Sequence, residues 1–309
     1  MTETFRITLE QMSMFFIFMT AGYILKKRNL LPDSAGNVLS RLELYVFLPA
    51  MCFNTFSSNL KTDILAAKLP LLGWSLLLLA ATFGLSILLS RLFSHERITR
   101  AVYSYAFTVP NLGYLGYPLV RTVFGQGPLL DFMIFTLPFN LFIYTVGMYI
   151  LNPARVFNLK KVFNPIMISI TAGALVGLSG VDMPSFAVNT LSTASDCTGP
   201  IAMLLTGFVL ARAPIREMMG NYKMYIASAV RLIFLPLFFG VLMYLAGIDR
   251  YIIKIACSLL VLPMGLNNVV FPEAFGGDSK TGAQSCFVSN IMGVITVPFT
   301  YMLLTALFG

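Results

Sequence analysis

Apolar runs of about 20 residues, the length a helix needs to cross a bilayer, recur along the chain with short polar interruptions. Ten are read, at roughly 7–26, 36–57, 66–90, 99–124, 128–151, 164–181, 187–211, 222–247, 251–276 and 281–308. They predict ten membrane-spanning helices, 1 to 10, and leave too little chain for a separate soluble domain. Two stretches break the pattern: VPNLGYLGYP at 109–118 in helix 4 and LPMGLNNVVFP at 262–272 in helix 9. Proline, glycine and asparagine disfavour helix, so a chain this apolar must have a reason to place them mid-span.

Composition agrees with a membrane protein. Of 309 residues, 57% are hydrophobic and 11% charged, and the mean hydropathy is +0.81; soluble domains carry about 25% charged residues. An all-α, multi-pass protein of the plasma or inner membrane is expected, with the lipid bilayer as its surroundings. The net charge of +8 does not indicate nucleic acid, because the basic residues are scattered over loops. Lys26, Lys27, Arg28, Arg41, Arg91, Arg97, Arg100, Arg155, Lys160, Lys161, Arg212, Arg216, Lys223 and Lys280 lie in or beside odd-numbered connections. Only Lys61, Lys68, Arg121, Arg250 and Lys254 mark the even ones. The positive-inside rule then puts odd loops in the cytoplasm and both termini outside. The cluster Lys26-Lys27-Arg28 follows the first apolar run, the reverse of a cleavable signal peptide. Cys52, Cys197, Cys257 and Cys286 lie in apolar segments without metal-ligand spacing, and read as small buried residues outside any disulfide. No metal site or cofactor is expected.

The chain repeats itself at half its length. Pro49 in LYVFLPAMCF corresponds to Pro200 in DCTGPIAMLL, Pro110 to Pro263, and Pro118 to Pro272, at offsets of 151, 153 and 154 residues. Two five-helix repeats, 1–151 and 164–309, are joined by a short basic link, 152–163. Five is odd, so the second repeat enters the membrane from the opposite side, the inverted topology of many secondary transporters. Prolines alone could merely kink two helices; breaks at matching positions, each beside asparagine, point to a binding site.

Pro110 and Pro263 are expected to end a helical half near mid-membrane. Asn111, Asn267 and Asn268 can satisfy freed backbone groups or bind a ligand. Gly113, Gly116 and Gly265 let another backbone or a substrate approach, with Tyr114 between the first two. Each restarted helix, from Gly113 onward in helix 4, aims free N–H groups and a positive dipole end at the middle of the membrane. Two such ends form a site for an anion, most simply a carboxylate.

RLELYVFLP, VPNLGYLGYP, SDCTGPIAMLLTG, AVRLIFLP and LPMGLNNVVF together resemble the auxin efflux carrier family, which includes PIN-type auxin carriers and bacterial malate/malonate-type permeases. The resemblance covers nearly the whole chain. It implies an architecture like that of bile-acid sodium symporters: scaffold helices 1, 2, 6 and 7, and a mobile core of helices 3–5 and 8–10 around the crossing of helices 4 and 9. It also implies elevator-type transport of an organic anion and a homodimer formed through the scaffold. Asn111 falls on the family's crossover asparagine, Asp196 on its helix 7 aspartate and Arg231 on its helix 8 arginine. The chain lacks the long hydrophilic central loop of the plant carriers, so auxin itself is not implied as substrate.

Charges within spans are costly and mark functional candidates. Asp196, four residues before Pro200, suits proton or cation coupling, gating at the scaffold–core boundary, or a structural hydrogen bond. Glu43, in a similar place before Pro49, and Arg231 are further coupling or gating candidates, and Glu43 is more readily expected to partner Arg41 or Arg231. Arg231 could counter a substrate carboxylate, pair with Glu43 or Asp196, or snorkel to the surface. Glu273 and His95 read as solvated. Asn54, Asn140 and Asn290 could bond neighbouring helices, and Asn54, one turn beyond Pro49, is expected to face the site.

The expected function is a secondary or facilitative carrier of a small organic anion, a dicarboxylate or an aryl-type monocarboxylate. The alternative is a sodium-coupled symporter with an ion site built from carbonyls at the breaks and oxygens of Asn111, Asn267 or Gln284. An intramembrane enzyme is remote, since no HExxH, GxSxG, paired-aspartate or P-loop motif occurs.

Overall fold

The computed structural model describes residues 3–155, 163–212 and 214–308. Most of the predicted link, 156–162, and the side chain of Glu273 lie outside the described residues. Among the described residues the regular structure is helical, and the one β-type pairing joins Pro110 to Met264. Six helices among the described residues are long and apolar enough to cross a membrane unbroken: α1 (Glu3–Lys27), α3 (Thr62–Phe93), α5 (Gln126–Leu151), α7 (Ser185–Leu210), α8 (Tyr222–Leu245) and α10 (Ser279–Phe308). The other expected spans take different forms. α2 (35–59) is continuous but carries Arg41 and Glu43, and α6 (Pro165–Ser179) is a shorter apolar helix. α4 and α9 are each in two pieces: α4a (Arg97–Thr108) and α4b (112–124), α9a (Arg250–Leu260) and α9b (Asn267–Phe275).

The breaks fall where the sequence puts them, with a shift. α4a ends two residues before Pro110 and α9a three before Pro263. The residue preceding a proline is sterically driven out of helix, and Val109 is extended at φ −106°, ψ 113°. α4b restarts at Leu112, one residue ahead of the expected Gly113.

Three further prolines shape the helices differently. Ahead of Pro49, Pro118 and Pro236 the helix widens by one residue, over Glu43–Phe47, Leu112–Gly116 and Val230–Phe234. In each, an i→i+5 bond closes the wide turn: Leu48 N–H donates to Glu43 O, Tyr117 N–H to Leu112 O, and Leu235 N–H to Val230 O. Proline has no N–H and its ring crowds the preceding turn, so one wide turn absorbs the mismatch while the helix continues. Pro70, Pro200 and Pro298 sit in unbroken α-helix.

Small residues set the closest helix contacts, as expected where lipid offers no hydrophobic driving force between helices. α1 packs along α7 and α10, and α2 packs between α6 and α7. A Cβ on Gly207 of α7 would lie 1.8 Å from the Met19 carbonyl oxygen of α1, and one on Gly177 of α6 would lie 2.5 Å from Leu60 O beside α2. Large apolar side chains such as Leu76, Leu77, Leu88 and Leu245 face outward, where lipid would lie.

The two breaks meet. Asn111 N–H donates to Pro263 O at 2.8 Å, and Met264 N–H donates to Ser289 Oγ of α10 at 3.1 Å. A Cβ on Gly265 would sit 3.2 Å from Pro110 O, so glycine permits this approach. Arg231, in the wide turn of α8, closes the crossing from behind. Its Nη1 donates to Phe107 O at 3.0 Å, its Nε to Leu262 O at 3.2 Å and its Nη2 to Leu259 O at 3.4 Å. It thus caps the carbonyl ends of α4a and α9a, where the helix dipoles place partial negative charge. This corrects two of the expectations for Arg231: it is fully buried and does not snorkel, and it donates to backbone and pairs with neither Glu43 nor Asp196.

Gly207→Ala is expected to lower the thermal unfolding temperature in detergent, because only backbone lies where the methyl would go and overpacking costs about 1–3 kcal/mol. Arg231→Met is expected to lose more, since each buried carbonyl left without a donor costs about 1–3 kcal/mol, with Arg231→Lys in between. An Arg231→Met protein that melts with the wild type would sink the capping role.

Candidate functional site

Directly over the crossing lies a narrow cleft of about 30 Å³, roughly the volume of one water. Of the residues singled out in the sequence, Pro110, Asn111, Gly113, Tyr114, Gly265 and Asn267 line it. Asn111 is its centre. The backbone there is fully committed: φ −75°, ψ 73° makes an inverse γ-turn in which Leu112 N–H donates to Pro110 O at 2.9 Å, and Asn111 O accepts from Gly116 N–H at 2.9 Å. Its side-chain Nδ2 is buried without an acceptor. The amides of Gly113, Tyr114 and Leu115 belong to the first turn of α4b, whose donors have no helical carbonyl before them. The cleft therefore presents donors, which suits an anion.

The second break contributes less than expected. Asn268 and Val269 N–H are taken by Gly265 O at 3.0 Å and Leu266 O at 2.8 Å, so the start of α9b is largely closed by its own turn. Asn268 turns to α10, donating from Nδ2 to Ser285 Oγ at 2.9 Å, and does not line the cleft. Pro263 takes part through its carbonyl alone.

Sequence reasoning chose the wrong asparagine in the neighbouring helices. Asn54 stays within α2, where its Oδ1 accepts from Ser58 Oγ at 3.5 Å. Asn140 of α5 lines the cleft instead and donates to the Tyr117 hydroxyl at 2.8 Å, which is also 3.1 Å from Thr136 Oγ1. Tyr144, one turn beyond Asn140, is a further lining residue. The available signal was the i, i+4 spacing of Asn140 and Tyr144, which puts both on one face of α5. Asn290 bonds Cys286 O at 2.8 Å and reaches Met264 O at 3.5 Å, supporting the second break. Gln284 is occupied elsewhere, by Glu217 O at 2.8 Å and Asn221 Nδ2 at 3.4 Å.

A second chamber, about 240 Å³, adjoins the cleft. Gly36, Asn37 and Ser40 of α2, Leu205 and Val209 of α7, Arg212 and Val270 line it, and Tyr114 and Leu266 line both spaces. These two side chains form the partition.

The remaining charges separate into distinct cases. Asp196 is 68% exposed at its side chain and pairs with Arg121 Nη1 of α4b at 2.9 Å, tying α7 to the end of the broken helix. Glu43 is fully buried, and neither carboxylate oxygen has a partner; the expected pairing with Arg41 or Arg231 does not form. A third group was not foreseen: Lys68 Nζ contacts Asp131 Oδ1 at 2.6 Å, and the Tyr251 hydroxyl donates to the other oxygen of Asp131, joining α3, α5 and α9a. His95 is exposed, and the four cysteines are free thiols.

Comparison with known proteins agrees with this geometry. The profile of the family described as "Membrane transport protein" matches residues 7–156 and 149–301. An uncharacterized transporter of Methanocaldococcus jannaschii, MJ1031, is 22% identical over 304 residues, covering 94% of this chain and 97% of that one. The uncharacterized transporter YfdV of Escherichia coli K12 is 21% identical over 299 residues, covering 91% and 93%. With two interrupted helices meeting inside an apolar helical bundle and the family profile spanning nearly its full length, the chain belongs to the membrane transport protein family that includes the auxin efflux carriers.

Proposed function

We propose that the protein carries a small organic anion, a mono- or dicarboxylate, across the cytoplasmic membrane by alternating access, with the substrate carboxylate bound where α4 and α9 cross. The observation that carries this reading is the buried Asn111 amide, without an acceptor, in the cleft beside the first turn of α4b, where a helix has N–H groups with no helical carbonyl before them. The two halves act as an inverted repeat, in which paired interrupted helices at mid-membrane form the binding site.

An elevator-type movement fits the contacts. The unit of α4 and α9 is tied by hydrogen bonds and by Arg231, so it moves as one body. The α1–α7 and α2–α6 pairs are locked by backbone-to-glycine approach and form the stationary part. The 30 Å³ cleft is too small for an organic acid, so substrate enters as the Tyr114–Leu266 partition opens toward the 240 Å³ chamber, on the side the positive-inside rule makes cytoplasmic.

The test is counterflow in proteoliposomes loaded with unlabelled acid and given labelled mono- and dicarboxylates. Wild type is expected to show saturable exchange. Asn111→Ala is expected to lose about 10- to 100-fold in apparent affinity, as befits one hydrogen bond to a charged group at about 1.5–3 kcal/mol. Asn54→Ala, outside the cleft, is expected to behave as wild type. If no carboxylate in a broad panel exchanges or raises the unfolding temperature, the anion reading falls.

A further inference from the structure

We infer that Glu43 is a proton-binding site that couples carboxylate transport to proton movement, so that the carrier works as a proton–carboxylate symporter. This rests on the carrier reading above and names its driving ion.

The position is specific. Glu43 opens the wide turn of α2, and such turns are frequent at functional sites. Ser40, one turn before it, lines the chamber, and Leu44, next to it, lines the cleft. Glu43, between Ser40 and Leu44 in the chain, lines neither space itself and is buried behind them. Tyr114, the residue that separates them, lies within electrostatic reach of it, as does the Cys52 thiol.

Neither oxygen of this carboxylate has a hydrogen-bond partner among the described residues. Arg212, just beyond α7, lines the adjoining chamber beside Gly36 and has contacts of its own, and α5 presents Tyr144 to the cleft. On α2 itself, Arg41 and Tyr45 are exposed. α6 has no titratable residue, and α7 offers only Asp196 and Cys197. Asp196 is paired with Arg121, the one cation of α4b, and the other groups there are Tyr114 and Tyr117. Arg231 is held by three backbone carbonyls. An ionised carboxylate buried without a partner is among the most costly arrangements in a membrane. A metal ion would need a shell of several oxygens, whereas a phenol and a thiol are what stand nearby. A proton needs no shell.

The coupling arises from the same contacts. With Glu43 protonated, α2 and α4b close against each other and the loaded unit can move. With Glu43 ionised, its charge repels a carboxylate in the adjacent cleft and draws water into the partition, which holds that pathway open. Each cycle forms one O–H bond on a Glu43 oxygen, using a proton from water on the loading side, and breaks it to water on the release side. One proton then accompanies one substrate anion, with no other bond made or lost.

The experiment uses the full chain in proteoliposomes containing an internal pH dye, with the carboxylates that exchange in the counterflow assay. In the wild type, inward carboxylate flux is expected to acidify the interior, and uptake is expected to fall by roughly tenfold per pH unit on the alkaline limb. Glu43→Gln, which imitates the protonated acid, is expected to lose proton flux and pH dependence together while carboxylate exchange at equal pH persists. Glu43→Asp is expected to keep both with an altered profile. Net wild-type carboxylate uptake without acidification of the interior, or uptake that follows a sodium gradient and ignores pH, overturns the assignment of Glu43 and leaves the carrier reading standing. Should Glu43→Gln not fold, the pH profile of Glu43→Asp decides: a shifted profile supports Glu43 as the proton site, and a profile identical to the wild type overturns it. Absence of any carboxylate exchange in the wild type removes both readings.

Discussion

Inside a bilayer every backbone N–H and C=O needs a partner within the protein, and the two broken helices make that requirement acute. Their breaks run as extended chain through the middle of the bundle, and the hydrogen bonds that rescue them come from three directions. The breaks serve each other through Asn111 N–H and Pro263 O. α10 supplies Ser289 and Asn290 to the backbone of Met264. α8 supplies Arg231 to the last carbonyls of both leading half-helices. Among the described side chains at the crossing, the Asn111 amide nitrogen and the Asn268 amide oxygen stay unpartnered. Binding capacity is the remainder of an otherwise complete set of hydrogen bonds.

Proline acts here in two ways. At positions 110 and 263 it lies within a break. At 49, 118 and 236 it widens the preceding turn and the helix continues. The three wide turns ahead of these prolines carry Glu43, the start of α4b and Arg231, which are the buried carboxylate, the donor end of the cleft and the cap of the crossing. A further wide turn, Ile143–Gly147 of α5, has no proline after it in the helix. A wide turn has one residue more than α-helix allows, so it rotates the later turns of its helix and presents side chains and carbonyls that a regular helix would hide. The local mismatch caused by proline therefore aims much of the chemistry of this fold.

The helices and both breaks were legible in the sequence because they reflect composition along a line: apolar length, then Pro, Gly and Asn in the wrong place for a helix. Orientation about the helix axis was not. Asn54 and Asn140 look equivalent as lone polar residues in apolar spans, yet one bonds its own helix and the other faces the cleft. Each residue turns the helix by about 100°, and only packing fixes the origin of that rotation. Arg231 was misjudged for a related reason. Its partners are carbonyls of Phe107, Leu259 and Leu262, which carry no side-chain signature, so a search for opposite charges could not find them. The Asp196–Arg121 pair, 75 residues apart in the chain, was likewise invisible without the fold.

The kinds of contact around the cleft differ in what movement they tolerate. Hydrogen bonds and the Arg231 fork join α4, α8, α9 and α10, and breaking them would strand polar groups in a dry interior at a cost of several kcal/mol each. Against α2 and α6, the cleft meets Leu44, Leu48 and Ile166, and Gly113 lies under the Leu48 methyls, about 3.0 Å from where its Cβ would stand. Apolar surfaces of this kind slide past one another without orphaning a donor or acceptor, because dispersion contacts are short-ranged, non-directional and readily re-formed. The cleft is thus bounded by hydrogen-bonded backbone on one side and mainly by apolar side chains on the other. Two polar groups interrupt the apolar side: Glu43, whose carboxylate is buried without a partner, and the Asp196–Arg121 pair, which joins α7 to α4b.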